Sequence, residues 1–216
     1  MASPLEFYFD FASPYSYLAH TRLPSIARRA ERAIAYCPVS LGEIKRAAGN
    51  IGPAAQDLPA KRRYVQQDTR RWAERYGVPL AEPQGSVAPR LNRGVFFAIA
   101  RGQACAYIDA VNTQVWAQGK AMDDPSVLND VAAELGWNAD ELRQYVVSDT
   151  AESLACQATS QARERSVFGV PTVVADRQLW WGNDRLFLVE AYLEKSSMKA
   201  QTEERMLAEG MEHDHG

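Results

Sequence analysis

Cysteine and histidine are scarce in this chain of 216 residues, with three of each. Cys37, Cys105 and Cys156 are widely spaced and odd in number, and no C-x-x-C pair occurs. That argues against a disulfide framework and against dithiol redox chemistry. His20 stands alone, and His213 and His215 lie in a polar tail. No His and Cys share a metal-ligand spacing, so no zinc, haem or other metal site is expected. Long apolar runs are missing too. Nothing approaches the roughly 20 residues that span a bilayer, and no basic and apolar leader opens the chain. A soluble cytoplasmic protein with buried, inert thiols is the expectation. An excess of positive charge is also absent. The formal net charge of −3 offers no field for nucleic acid. Arg28-Arg29 and Lys61-Arg62-Arg63 read as solvated helix faces.

Strand signals are confined to the two ends of the pattern. Leu5 to Phe11 is aromatic and apolar, as in a strand buried on both faces. Pro14 to about Arg32 reads as helix, with a bend possible at Pro24, and Ile34 to Val39 as a second strand whose pairing Pro38 limits. That is one β-α-β unit with parallel strands. From about Ser40 to Ser166 the pattern is helical: Leu41 to Ala48, Lys61 to Tyr76 ended by Gly77, Leu91 to Arg101, Ala104 to Gln118, Pro125 to Leu135 stopped at Gly136, Ala139 to Val147, and Thr150 to Arg165 capped by Asp149. Pro171 to Ala175 and Gln178 to Trp181 then form a hairpin through Asp176-Arg177. A last helix follows over Arg185 to Leu193, with Asn183 or Asp184 near its cap.

The predicted division is 1–40 and 167–200 as two parts of one domain, 41–166 as an inserted all-helical domain, and 201–216 as a charged tail. This order resembles an α/β thioredoxin-like fold interrupted by a large helical insertion. In that fold the reactive group sits at the first helix N-terminus and faces a cis proline, here Pro171. Ser13-Pro14 matches the helix start, since Ser caps and Pro fills the first helical position. Ser13-Pro14-Tyr15-Ser16 stands where a thioredoxin carries its cysteines. A serine cannot exchange disulfides, but a hydroxyl beside free N–H groups can hold a thiolate brought in by another molecule. Taken locally, Ser13, Asn183 and Asp184 read first as helix caps, and Lys45 and Lys61 as surface lysines.

Segments spread from Phe7 to Leu186 carry a closer resemblance. They include Phe7-Tyr8-Phe9-Asp10-Phe11 with Ser13-Pro14-Tyr15-Ser16, Gly49-Asn50-Ile51-Gly52-Pro53, Tyr76-Gly77-Val78-Pro79-Leu80, Val170-Pro171-Thr172 and Trp180-Trp181-Gly182-Asn183-Asp184-Arg185. Together they resemble the 2-hydroxychromene-2-carboxylate isomerases, a glutathione-dependent group within the kappa-class glutathione transferase and DsbA-like family. The resemblance implies glutathione as cofactor and an aromatic carboxylate from naphthalene-type catabolism as substrate, in a cytoplasmic homodimer. It implies Ser13 as the catalytic residue that activates the thiol. Val170 and Pro171 would meet the peptide backbone of glutathione, Asn183 and Asp184 its γ-glutamyl end, and Lys61 with Asn50 its glycyl end. Lys45 would meet the substrate carboxylate, with Tyr15 on the substrate side. The chain departs from the family pattern at Ala55 and Gln56 and at Gly85-Ser86-Val87. A related aromatic substrate, a kappa-type transferase or peroxidase, and a non-catalytic binding protein stay open.

Overall fold

The structure, a computed structural model, describes residues 3–52, 58–85 and 87–198. Pro53, Ala55, Gln56, Ser86, His213, His215 and the tail from 201 lie outside the described residues. The chain opens with β1 (Leu5–Phe9), α1 (Pro14–His20), α2 (Leu23–Arg29) and β2 (Ile34–Pro38). Helices follow: α3 (Leu41–Ala47), α4 (Pro59–Tyr76), α5 (Pro89–Ala100), α6 (Ala104–Asn112), α7 (Pro125–Leu135), α8 (Ala139–Val146) and α9 (Asp149–Glu164). The chain returns as β3 (Thr172–Ala175) and β4 (Gln178–Trp181), then a 3-10 turn (Asn183–Arg185) that runs into α10, residues 186–198. Among the described residues no strand lies between β2 and β3, which is the helical interruption the sequence predicts.

The four strands are ordered β2-β1-β3-β4. β1 is parallel to β2, and β3 is antiparallel to both β1 and β4. β1 is therefore central, and it is buried on both faces. Leu5, Phe7 and Phe9 join the larger core with α1, α2, α5, α6 and α10. Tyr8 points the other way, into a smaller core with Val39, Ile44, Ala162 and Val174. Phe7 and Phe9 stack at 5.2 Å, and Phe11 meets Phe9 edge-on at 5.4 Å. Each such ring contributes roughly 1.5–3 kcal/mol by leaving water. Pro38 is tolerated because β2 is an edge strand.

Several boundaries differ from the sequence reading, each for a local reason. β1 ends at Phe9 because the Asp10 carboxylate accepts the N–H of Ala12 and turns the chain. The first helix is two helices, with Pro24 in the opening turn of α2, where a missing N–H costs nothing. After α6 the chain widens into a π-helical turn over Thr113–Ala117. Ser148, not Asp149, caps α9, its Oγ accepting from Ala151 N at 3.2 Å. The 3-10 turn includes Asn183 and Asp184, and its cap residue Gly182 has no side-chain bond, so neither acts as the predicted N-cap. Gly77 and Gly136 do end their helices, both in the left-handed region at φ 67° and 69°. The thiols are not uniformly buried: Cys156 is exposed and Cys105 half-buried, while burial pushes Cys37 up to about 12. Among the described residues no helix is long and apolar enough to cross a membrane.

Candidate active site

The turn between β1 and α1 is held by a buried polar hub. Asp10 accepts from Ala12 N at 3.0 Å, Leu41 N at 2.9 Å and Asn92 Nδ2 at 2.9 Å. Asn92 returns its Oδ1 to Phe11 N at 3.2 Å, and Nδ2 also reaches Val39 O at 3.3 Å. Trp116 Nε1 donates to Phe11 O at 2.9 Å. Burial pushes the Asp10 pKa above the ordinary carboxylate value, against the pull of its three N–H donors. Three elements, α3, α5 and the π turn, thus fix the backbone that presents Ser13.

Ser13 is the cap of α1, with Oγ accepting from Ser16 N at 3.3 Å. That interaction uses one lone pair and leaves the hydroxyl proton to be donated. The N–H groups around it are fewer than the sequence suggests. Pro14 has none, and those of Ser16 and Tyr17 are taken by Ser13 O. Only the N–H of Tyr15 is left beside the hydroxyl among the described residues. With α1 just seven residues long, the hydroxyl carries more of the chemistry than the helix dipole.

The Val170–Pro171 peptide is cis. Tyr8 pairs with Thr172, so Pro171 lies alongside the end of β1, where the Ser13 turn leaves the sheet. Pro171 O accepts from Gly182 N at 2.8 Å, which ties the start of β3 to the turn after β4. The Trp181 indole lies over Gly169 so closely that a Cβ there would meet Nε1 at 2.7 Å. Among the described residues the Val170 backbone has no backbone partner.

Asn183 is 3% exposed, and its Nδ2 finds no partner. Its backbone oxygen accepts from Tyr76 Oη at 3.2 Å. Asp184 Oδ2 is held by Arg185 at 2.5 Å, at the surface. Tyr15 donates to Asp68 Oδ2 at 2.9 Å. Burial, Asp68 and then nearby Tyr64 and Asp184 hold the Tyr15 pKa above the ordinary tyrosine value. Tyr15 thus sits between α4 and the Asn183–Asp184 turn. A cavity of about 480 Å³ reaches Asn183 and Asp184, but from the side of Arg22, Trp72, Arg75 and Tyr76. Ser13 does not line it, nor does it line the larger groove of about 620 Å³ along the outer face of α4.

Lys45 lies one turn along α3 from Leu41, whose N–H binds Asp10. It is half-buried, and burial, then the neighbouring Lys61, hold its pKa below the ordinary lysine value. Among the described residues neither lysine has a carboxylate partner. Asn50 is exposed just past α3, with its N–H on Lys45 O at 2.9 Å. Nothing in the structure brings its side chain to Ser13.

Known proteins can now be set beside this geometry. Residues 4–194 match the family model of the DSBA-like thioredoxin domain. A 2-hydroxychromene-2-carboxylate isomerase of Pseudomonas putida is 41% identical over 187 residues, covering 87% of this chain and 92% of that protein. The isomerase of the same name from Sphingobium xenophagum is 38% identical over 193 residues, covering 89% and 99%. This chain belongs to the 2-hydroxychromene-2-carboxylate isomerase group of the DSBA-like thioredoxin family. A solved isomerase structure of that name superposes with a TM-score of 0.88 at 38% identity, over 92% of this chain and 98% of that one.

As a member of this isomerase group, the chain keeps the position of the reactive turn but fills it with serines. Reading the sequence missed what supports that turn. Asn92 falls inside the helix predicted over Leu91 to Arg101, where nothing local marks it as a partner of Asp10. Its signal was a polar side chain on the buried face shared with Leu91 and Val95. Tyr76, which the sequence places at the end of α4 and in a family motif, donates to the turn of Asn183. Spacing along the chain gives no metal-ligand pattern, but the fold brings three donor side chains together. His20, Cys105 and Asp109, distant in sequence, have ligand atoms within 4.8 Å of one another. Spacing along the chain does not reveal a group assembled from two helices.

Proposed function

We propose that this chain is a glutathione-dependent isomerase that converts 2-hydroxychromene-2-carboxylate to trans-o-hydroxybenzylidenepyruvate, the activity for which its relatives are named. We place it in bacterial naphthalene-type catabolism, as a cytoplasmic homodimer. The observation that carries the reading is Ser13, a buried hydroxyl with a proton to give at the turn after β1, the strand beside whose end cis Pro171 lies.

The residues present suit glutathione. The orphaned Asn183 Nδ2 lacks the acceptor that a γ-glutamyl carboxylate supplies, and Asp184 offers a partner for the ammonium. The Val170 backbone, without a backbone partner among the described residues, suits the cysteinyl backbone. Lys61, with Asn50 at the rim, suits the glycyl carboxylate. When bound, glutathione supplies a thiolate that adds reversibly to the unsaturated substrate, permits rotation about the former double bond and leaves unchanged. Ser13 donates its hydroxyl proton to the sulfur as a hydrogen bond and so favours the thiolate. Lys45 pairs with the substrate carboxylate, and its own repulsion from Lys61 is relieved when anions arrive. Tyr15, anchored on Asp68, forms the aromatic wall on the substrate side. A purified sample given 2-hydroxychromene-2-carboxylate should turn it over with glutathione and lose that activity without it, while total glutathione stays constant. Falling glutathione would mean a transferase, and equal turnover without glutathione would remove the cofactor from the account.

A further inference from the structure

His20, Cys105 and Asp109 take no part in the site above. α1 ends at His20, at the far end from Ser13. Cys105 and Asp109 are four residues apart on α6 and so share one face. The imidazole is 2% exposed and lies against the rings of Phe7 at 6.3 Å and Tyr36 at 5.7 Å. Nε2 is 2.9 Å from Asp109 Oδ1, and Nδ1 has no partner. Cys105 Sγ is 3.8 Å from Asp109 Oδ2. Cys105 is half-buried and Asp109 is exposed, so the group opens to water on one side.

We propose that His20, Cys105 and Asp109 form a binding site for a divalent ion of the zinc class, with water as the fourth ligand. The donor set decides the class. One thiolate, one imidazole and one carboxylate suit zinc, whereas magnesium and calcium take all-oxygen shells. Zinc bonds of about 2.0–2.3 Å place tetrahedral donors roughly 3.3–3.8 Å apart. One donor atom from each residue already lies within 4.8 Å of the other two, with His20 Nε2 2.9 Å from Asp109 Oδ1 and Cys105 Sγ 3.8 Å from Asp109 Oδ2, so closing to tetrahedral distances asks about 1 Å of movement from the exposed Asp109 and half-buried Cys105. Binding releases the Cys105 thiol proton to solvent and shifts the imidazole proton from Nε2 to Nδ1, so affinity falls as pH falls. The ion links the end of the Ser13 helix to α6 and stabilises the fold by binding the native state alone.

The test uses the full chain, stripped with a chelator, and cobalt(II) as the spectroscopic probe. One equivalent of cobalt should give a thiolate-to-metal charge-transfer band, and zinc should abolish the band and raise Tm. Cys105→Ala should lose the band. Cys156→Ala and a His213→Ala/His215→Ala double variant should keep it, since they spare the three ligands. Asp109→Asn, at an exposed position that leaves folding intact, should weaken cobalt binding about tenfold. No band in the wild-type chain, an undiminished band in Cys105→Ala, or unchanged affinity in Asp109→Asn overturns the site.

Discussion

The two ends of α1 solve opposite problems. At the Ser13 end every member of the buried hub has partners: Asp10 accepts three N–H groups, and Asn92 uses both its oxygen and its amide nitrogen. At the His20 end the ring is held through Nε2 alone, and Nδ1 is bare. A fully satisfied network fixes geometry, and a partly satisfied one leaves a group ready to take a partner. The role proposed for Ser13 calls for the first, because its hydroxyl would have to meet a sulfur at hydrogen-bond distance. At the second the adjustable partner of Nε2 is the exposed Asp109 carboxylate, which leaves that nitrogen's side of the ring open to exchange.

Breaking the satisfied end should have the largest effect. Asp10→Ala leaves the partly buried N–H groups of Ala12 and Leu41 unmet, at about 1–3 kcal/mol each, and Asn92 Nδ2 with Val39 O alone. The urea midpoint should drop by several kcal/mol equivalents of stability, and turnover should vanish with it. Adding Asn92→Ala should cost little more, because the two share one network; full additivity would show that the hub is not a unit.

Ser13→Ala separates chemistry from support. It should lower kcat/KM about 100-fold, as loss of one well-placed donor does. Stability should fall by only about 1 kcal/mol, the worth of an N-cap. A steady-state series beside a melting curve distinguishes this from general unfolding. Lys45→Met should act more weakly, raising KM for the substrate about tenfold, or about 1.4 kcal/mol, with thiol activation intact.

The smallest effect belongs to the other end of α1, in chelator. Burial lowers the His20 pKa, but Asp109 and then Cys105 outweigh it and raise the net value above 6.5. A raised histidine stabilises the fold fully below its unfolded value near 6.5, and that contribution fades as pH rises through the folded value. Asp109→Asn should therefore lower Tm more at pH 6 than at pH 9. An equal loss at both would show that the pair is not ionic.

What could be read from the sequence was local. Ser13-Pro14 announced a strand-to-helix turn because caps and first-turn prolines act through neighbouring backbone. The Asp176-Arg177 hairpin was legible for the same reason, with both residues in the left-handed region at φ 48° and 70°. Lys45 and Lys61 were singled out by the family resemblance alone, since a half-buried and an exposed lysine carry no local signal. Asn92 escaped because its partner Asp10 is 82 positions away. The group at His20 escaped because its ligands come from two helices that meet only in the fold. The predicted caps of Asn183 and Asp184 failed because the chain enters α10 through a 3-10 turn at Gly182.

The role of Ser13 is the claim on which the function rests. It is tested most directly by titrating the ultraviolet absorbance of bound glutathione thiolate against pH in the wild-type chain and in Ser13→Ala. A bound thiol that ionises below the free cysteine value near 8.5 in the wild type, and moves back toward it in the variant, is the expected result. The same titration curve in both proteins would contradict it.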